Sequence, residues 1–121
     1  MADNRDRLAT TLDRVADTAE QAAGEQRQAA NVARDTARGH RNDRMDDAGT
    51  TQSVRRVLEL LGRSAEHLTA ATGGLRRAWA AALADDGLSI RQIGERLGVT
   101  HQRVSALLTR HRHTDAPQSR R

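Results

Sequence analysis

Gln102, Arg103, Ser105, Ala106, Thr109 and Arg110 fall together near the C-terminal end of the chain. Their side chains are of the kinds that meet a DNA duplex. An amide offers donor and acceptor to an adenine edge, a guanidinium forks onto phosphate or guanine, and a small methyl lies against a thymine methyl. Projected as a helix at about 100° per residue, Gln102, Ala106 and Thr109 point one way, with Arg103, Ser105 and Arg110 flanking them. Val104, Leu107, Leu108 and His111 point the other way. A helix entering the major groove needs this division: short side chains where it lies deepest, arginines toward the phosphates, an apolar back to hold it. Thr100 and His101 stand at the N-terminal end of this helix, and Ser89 and Arg91 open the preceding one; they complete the candidate contact set.

Such a face has to be carried by a rigid support, and the sequence signs one. Residues 73–113 read as three short helices, about 74–85, 90–97 and 101–111. Asp85-Asp86-Gly87 ends the first, with Gly87 suited to a left-handed turn. Ser89 and Gln92 form a capping box, and Leu88 with Ile93 a hydrophobic staple. Gly98-Val99-Thr100 is the turn; Thr100 caps the last helix, and Val99 with Val104 repeats the staple. Ile90, Ile93, Leu97, Val99, Val104, Leu107 and Leu108 are expected to fill the wedge, closed by Leu75, Trp79 and Leu83. Gly94 is small where two helices must cross; leucine there should overpack, whereas alanine at ordinary helical angles should be accepted. Two short, separately capped helices joined by a glycine turn form the helix-turn-helix pattern.

The run Ser89-Ile-Arg-Gln-Ile-Gly-Glu-Arg-Leu-Gly-Val-Thr-His-Gln-Arg-Val-Ser-Ala-Leu-Leu resembles region four of bacterial primary sigma factors and the related helix-turn-helix domains of small actinobacterial DNA-binding regulators. The resemblance implies a tri-helical DNA-binding domain. It does not extend to the charged residues with which the sigma family reads its promoter hexamer, for those positions are His101, Gln102 and Ser105 here.

The N-terminal half reads as the part that assembles the molecule. Residues 1–38 form a long amphipathic helix whose Leu8, Leu12, Val15, Ala19, Ala22, Gln26, Ala29 and Ala33 follow a coiled-coil-like heptad spacing. Residues 39–51 are polar and aperiodic, a linker. Residues 52–72 form a second amphipathic helix with Val54, Val57, Leu58, Leu61, Ala65 and Leu68 on one face, and Gly73-Gly74 is expected to break it from the C-terminal domain. Val54, Val57, Leu58, Leu61 and Leu68 are the candidate oligomerisation residues of a homodimer; pairing with the first helix of the same chain is the other way to cover them. Residues 114–121 read as a disordered tail. The fold class is therefore all-α, an N-terminal helical, coiled-coil-like region followed by a C-terminal helix-turn-helix.

Composition narrows the function classes. The chain has 121 residues, 36% hydrophobic, with no Phe, Tyr or Cys and a single Trp. Without cysteine there is no disulfide or thiolate metal site, as in a reducing cytoplasm. The longest apolar run, Ala78 to Ala84, is far short of a membrane span, and no signal peptide is evident. From residue 73 onward nine arginines face four acids, a net +5, while residues 1–52 carry −2, so the basic excess lies with the candidate DNA-contact helix. His111 and His113 lie on opposite faces of a helix, which makes no metal site; Asp46-Asp47 and Asp85-Asp86 have no nucleophile beside them. No catalytic residue, cofactor or metal is expected. The reading is a non-enzymatic, cytoplasmic DNA-binding regulator with duplex DNA as partner. The alternatives are a module that docks on RNA polymerase, a sigma factor or another regulator, and a non-specific architectural or plasmid-maintenance DNA binder.

Overall fold

The computed structural model describes residues 3–115, with side-chain surroundings up to Thr109. Four helices follow one another: α1, Asn4–Arg41; α2, Asp47–Asp85; α3, Ile90–Leu97; α4, His101–Asp115. Among the described residues there is no strand. The chain divides into two compact units, one of residues 16–71 and one that joins the residues up to Val15 with those from Thr72 onward.

Local chemistry starts and stops the long helices. Asp3 Oδ1 accepts from Asp6 N at 2.9 Å, filling an orphan donor of the first turn of α1. Arg38 and Arg41 place positive charge at its C-terminal end, where the helix dipole favours it. The connection is shorter than the expected 39–51 linker. Asp43 takes a left-handed φ of 57°, and Arg44 N reaches back to Gly39 O at 2.8 Å. Asp46 Oδ1 then accepts from Gly49 N at 2.7 Å and opens α2. Here one of the paired acids Asp46-Asp47 is a helix cap.

In the unit of residues 16–71, α1 and α2 pack antiparallel within one chain. Gln26 Nε2 donates to Ser64 Oγ at 3.1 Å, Ser64 Oγ donates to Ala22 O at 3.5 Å, and His67 Nδ1 lies 3.2 Å from Glu25 Oε1. The seam differs in phase from the sequence expectation. On α1, Thr18, Ala22, Glu25, Ala29, Val32 and Thr36 turn inward, while Ala19, Gln26 and Ala33 stay exposed. Half the heptad moves by one residue, and Glu25 lies against His67 across the seam. On α2 the inward positions are Val57, Leu60, Ser64 and His67. Leu60 is 1% exposed, whereas Leu58 beside the expected stripe is 63% exposed.

α2 also runs without a break through Gly73 and Gly74, merging the two helices expected over 52–72 and 74–85. Each glycine costs roughly 1 kcal/mol of helix propensity, less than the packing of a continuous 39-residue helix returns.

In the other unit, Asn4 Nδ2 donates to Asp85 Oδ2 at 2.6 Å and Arg5 lies 3.2 Å from Asp86 Oδ1, so both acids of that pair have partners on the first turn of α1. The core of the unit is Ala80, Leu83, Ile93, Val104 and Leu107, with Ala84, Leu88, Leu97, Val99 and Leu108 packed against it. Complete burial of Ile93 and Val104 contributes about 1.5–3 kcal/mol each. Trp79 does not close this core as expected. It is 38% exposed, and the fully buried Ala80 lies at the interface with α3 and α4 instead.

Candidate nucleic-acid interface

α3 and α4 are short helices made rigid at their ends. Ser89 caps α3 through a complete box: its Oγ accepts from Gln92 N at 3.2 Å, and its own N–H donates to Gln92 Oε1 at 2.8 Å. Gly98 closes α3 with φ 72°, and Gly98 N and Val99 N both donate to Gly94 O, at 2.8 and 3.0 Å. Thr100 Oγ1 accepts from Arg103 N at 3.2 Å and so caps α4. The two capping hydroxyls, both in the sequence-derived contact set, each accept one backbone hydrogen bond.

The turn brings α4 hard against α3. A Cβ built on Gly94 would stand 2.8 Å from Val99 O, 3.6 Å from Val104 Cγ2 and 3.8 Å from His101 N. The expectation that alanine is accepted at position 94 is therefore corrected. Gly94 has ordinary helical angles, but the obstacle is a backbone oxygen that cannot rotate away.

Around this crossing, Val104 and Leu107 are buried and hold the back of α4, while His101, Gln102, Arg103, Ser105, Ala106 and Thr109 are all exposed. Arg110 lies on α4, but its side chain is outside the described residues, as is that of His111. Ser89, Arg91 and Thr100 are exposed as well. Between α3 and the start of α4 lies an open concavity of about 710 Å³ lined by Arg91, Glu95, Gly98, Thr100, His101 and Gln102, among others. The structure thus brings Arg91, Thr100, His101 and Gln102 onto one concave surface, while Ser89 and Arg103 do not line it and Ser105, Ala106 and Thr109 lie further along α4.

Glu95 and Gly98 of this surface were absent from the sequence-derived set. Glu95 was legible as the i+4 partner of Arg91, whose Nε lies 3.9 Å from Glu95 Oε2. Both side chains are mostly exposed, so the pair is well solvated and weak. From Leu88 to Arg110 Glu95 is the single acid against four arginines. The chemistry on offer is donation and acceptance of hydrogen bonds beside fixed positive charge.

The candidate oligomerisation residues divide. Val57 turns into the α1–α2 seam, and Val54, Leu58, Leu61 and Leu68 are exposed. Among the described residues, no three His, Cys, Asp or Glu side chains gather as metal ligands, and no helix is long and apolar enough to cross a membrane. Comparison with known protein families, curated proteins and solved structures finds no match to this chain.

Proposed function

We propose that this protein is a non-enzymatic DNA-binding transcriptional regulator. In this reading α3 and α4 are a helix-turn-helix, the chain from α2's C-terminal end through α4 is its tri-helical domain, and α1 with the rest of α2 is a coiled-coil-like assembly region. The observation that carries the reading is the two-sidedness of α4. Val104 and Leu107 are buried against a glycine-enforced crossing, and Gln102, Arg103, Ser105, Ala106 and Thr109 are presented outward. The resemblance of residues 89–108 to sigma region four supports the same assignment, as does the basic excess beyond residue 73. Gln102 and Ala106 face base edges; Arg91, Arg103 and Arg110 take phosphates; the N–H groups at the start of α4 add to the anionic contacts. A cytoplasmic location follows from this function.

Selection of bound duplexes from a random pool, followed by fluorescence anisotropy with the enriched sequence against a scrambled one, tests the proposal. A preferred site, with affinity falling steeply as salt rises, is the expected result. Failure to bind any duplex at low salt overturns it and leaves docking on the transcription machinery as the reading to pursue.

A further inference from the structure

The last turn of α2 makes the joint from which α3 departs. Leu88 N donates to Leu83 O at 3.1 Å and Gly87 N to Ala84 O at 3.0 Å, with Gly87 at a φ of 91°. This is the paired closure of a helix by a left-handed glycine, and Leu88 packs on the cluster that holds Leu83. The joint aims α3 and, through the Gly94 crossing, α4. Its two acids, Asp85 and Asp86, have the wrong charge for their own helix. The carbonyl end of α2 is the negative pole of its dipole, and no basic residue stands in that last turn. Acids there loosen the turn rather than hold it.

The same acids suit the helix that begins beside them. The start of α1 is a positive pole, where carboxylates are favoured. Asn4 Nδ2 donates to Asp85 Oδ2 at 2.6 Å and lies 3.5 Å from Ala81 O, and Arg5 Nη2 donates to Asp86 Oδ1 at 3.2 Å. Ala78, Ala81 and Ala82 are buried yet lie outside the cluster that α2 forms with α3 and α4. In this unit the half-buried positions of α1 are Asn4, Arg7, Leu8, Thr11 and Val15, which fall on one helix face. The Asn4 contacts bring that face onto the alanine side of α2, opposite α3 and α4.

We propose that the first turn of α1 is a clasp on the joint between α2 and α3. Asn4 and Arg5 offset two acids that would otherwise open the turn, and so act as positioning residues for the α3–α4 surface. The contacts to the two carboxylates are exposed and individually weak. The clasp therefore governs local opening of the joint rather than global unfolding. Its signature is charge. If α1 only covered apolar surface, losing Asn4 and Arg5 would cost the same whether or not the acids were present. For a clasp, the loss matters because the acids remain.

Amide hydrogen exchange of the full chain tests this, read as protection factors so that intrinsic rates cancel. Asn4→Ala with Arg5→Ala should lower the protection of Gly87, Leu88 and Ile93 by about three- to ten-fold. Protection of Leu60, buried in the other unit, should stay as in the parent. Adding Asp85→Asn with Asp86→Asn to that variant should bring the joint back to within about two-fold of the parent, because no unpaired acid is left at the end of α2. Unchanged protection in the first variant overturns the clasp. So does a loss that persists in the quadruple variant, which would assign α1 a packing role alone. A loss equally large at Leu60 overturns it too, for it would report global unfolding. No arm of the experiment contains DNA, so its failure leaves the DNA-binding reading standing, and loss of that reading leaves this one.

Discussion

The Gly94 Cα lies so close to the Val99 carbonyl that an added methyl would stand 2.8 Å from the oxygen. α3 and α4 cross there, and the tightness of that crossing fixes the angle at which α4 presents its outer residues. Gly94→Ala should therefore destabilise the protein by ~1–3 kcal/mol through overpacking, against a helix-propensity gain of about 1 kcal/mol. Thermal melting of the variant checks this. A raised melting temperature would mean that the crossing relaxes freely.

Arg103 and Gln102 are neighbours on the exposed side of α4 with different expected effects. Arg103→Ala should weaken binding to all duplexes alike and lower the slope of log affinity against log salt by about one. Gln102→Ala should relax preference at one base pair, at ~1–3 kcal/mol. Anisotropy titrations over a salt series and a panel of single-base variants separate the two. Parental behaviour from both variants would show that α4 is not the reading helix.

Leu60 and Ser64 are the largest fully buried side chains of the α1–α2 seam. Leu60→Ala should cost ~2–5 kcal/mol in urea unfolding by leaving a cavity. Ser64→Leu should cost ~1–3 kcal/mol by forcing the helices apart and displacing the hydrogen bonds to Gln26 and Ala22. Parental stability in both would place the seam elsewhere on α2.

Trp79 is the only tryptophan and is 38% exposed. Its fluorescence should be red-shifted relative to a core indole and should fall readily on addition of acrylamide. Trp79→Ala should destabilise less than Val104→Ala, whose side chain is wholly buried. A blue-shifted, quencher-resistant emission would return Trp79 to the core.

Local signals carried the sequence reading furthest. The α3 box of Ser89 and Gln92, the left-handed Gly87 and Gly98, and the Thr100 cap all depend on residues within a few positions of one another, and each is found as expected. Tertiary pairings were not legible. Thr18, Glu25 and Thr36 look like surface residues until α2 supplies a facing surface, so the α1 seam was displaced onto Ala19, Gln26 and Ala33. Gly73-Gly74 has the composition of a break, but helix continues on both sides and the pair is simply carried along. Helical spacing puts Trp79 on the core face with Leu75 and Leu83, whereas Ala80, one position on, is the side chain that packs with Leu83, Ile93 and Val104. At Gly94 the residue type announces closeness, but that the neighbour is the rigid Val99 carbonyl depends on the tertiary crossing of α3 and α4.

Ser89 and Thr100 hold the first turns of α3 and α4 with hydrogen bonds made inside the free chain. Whatever meets this surface therefore encounters helices whose ends are already ordered, and recognition there carries little cost of coupled folding. Its heat-capacity change should be that of rigid surfaces losing water, small and proportional to the area covered, and association should be limited by encounter rather than by helix formation.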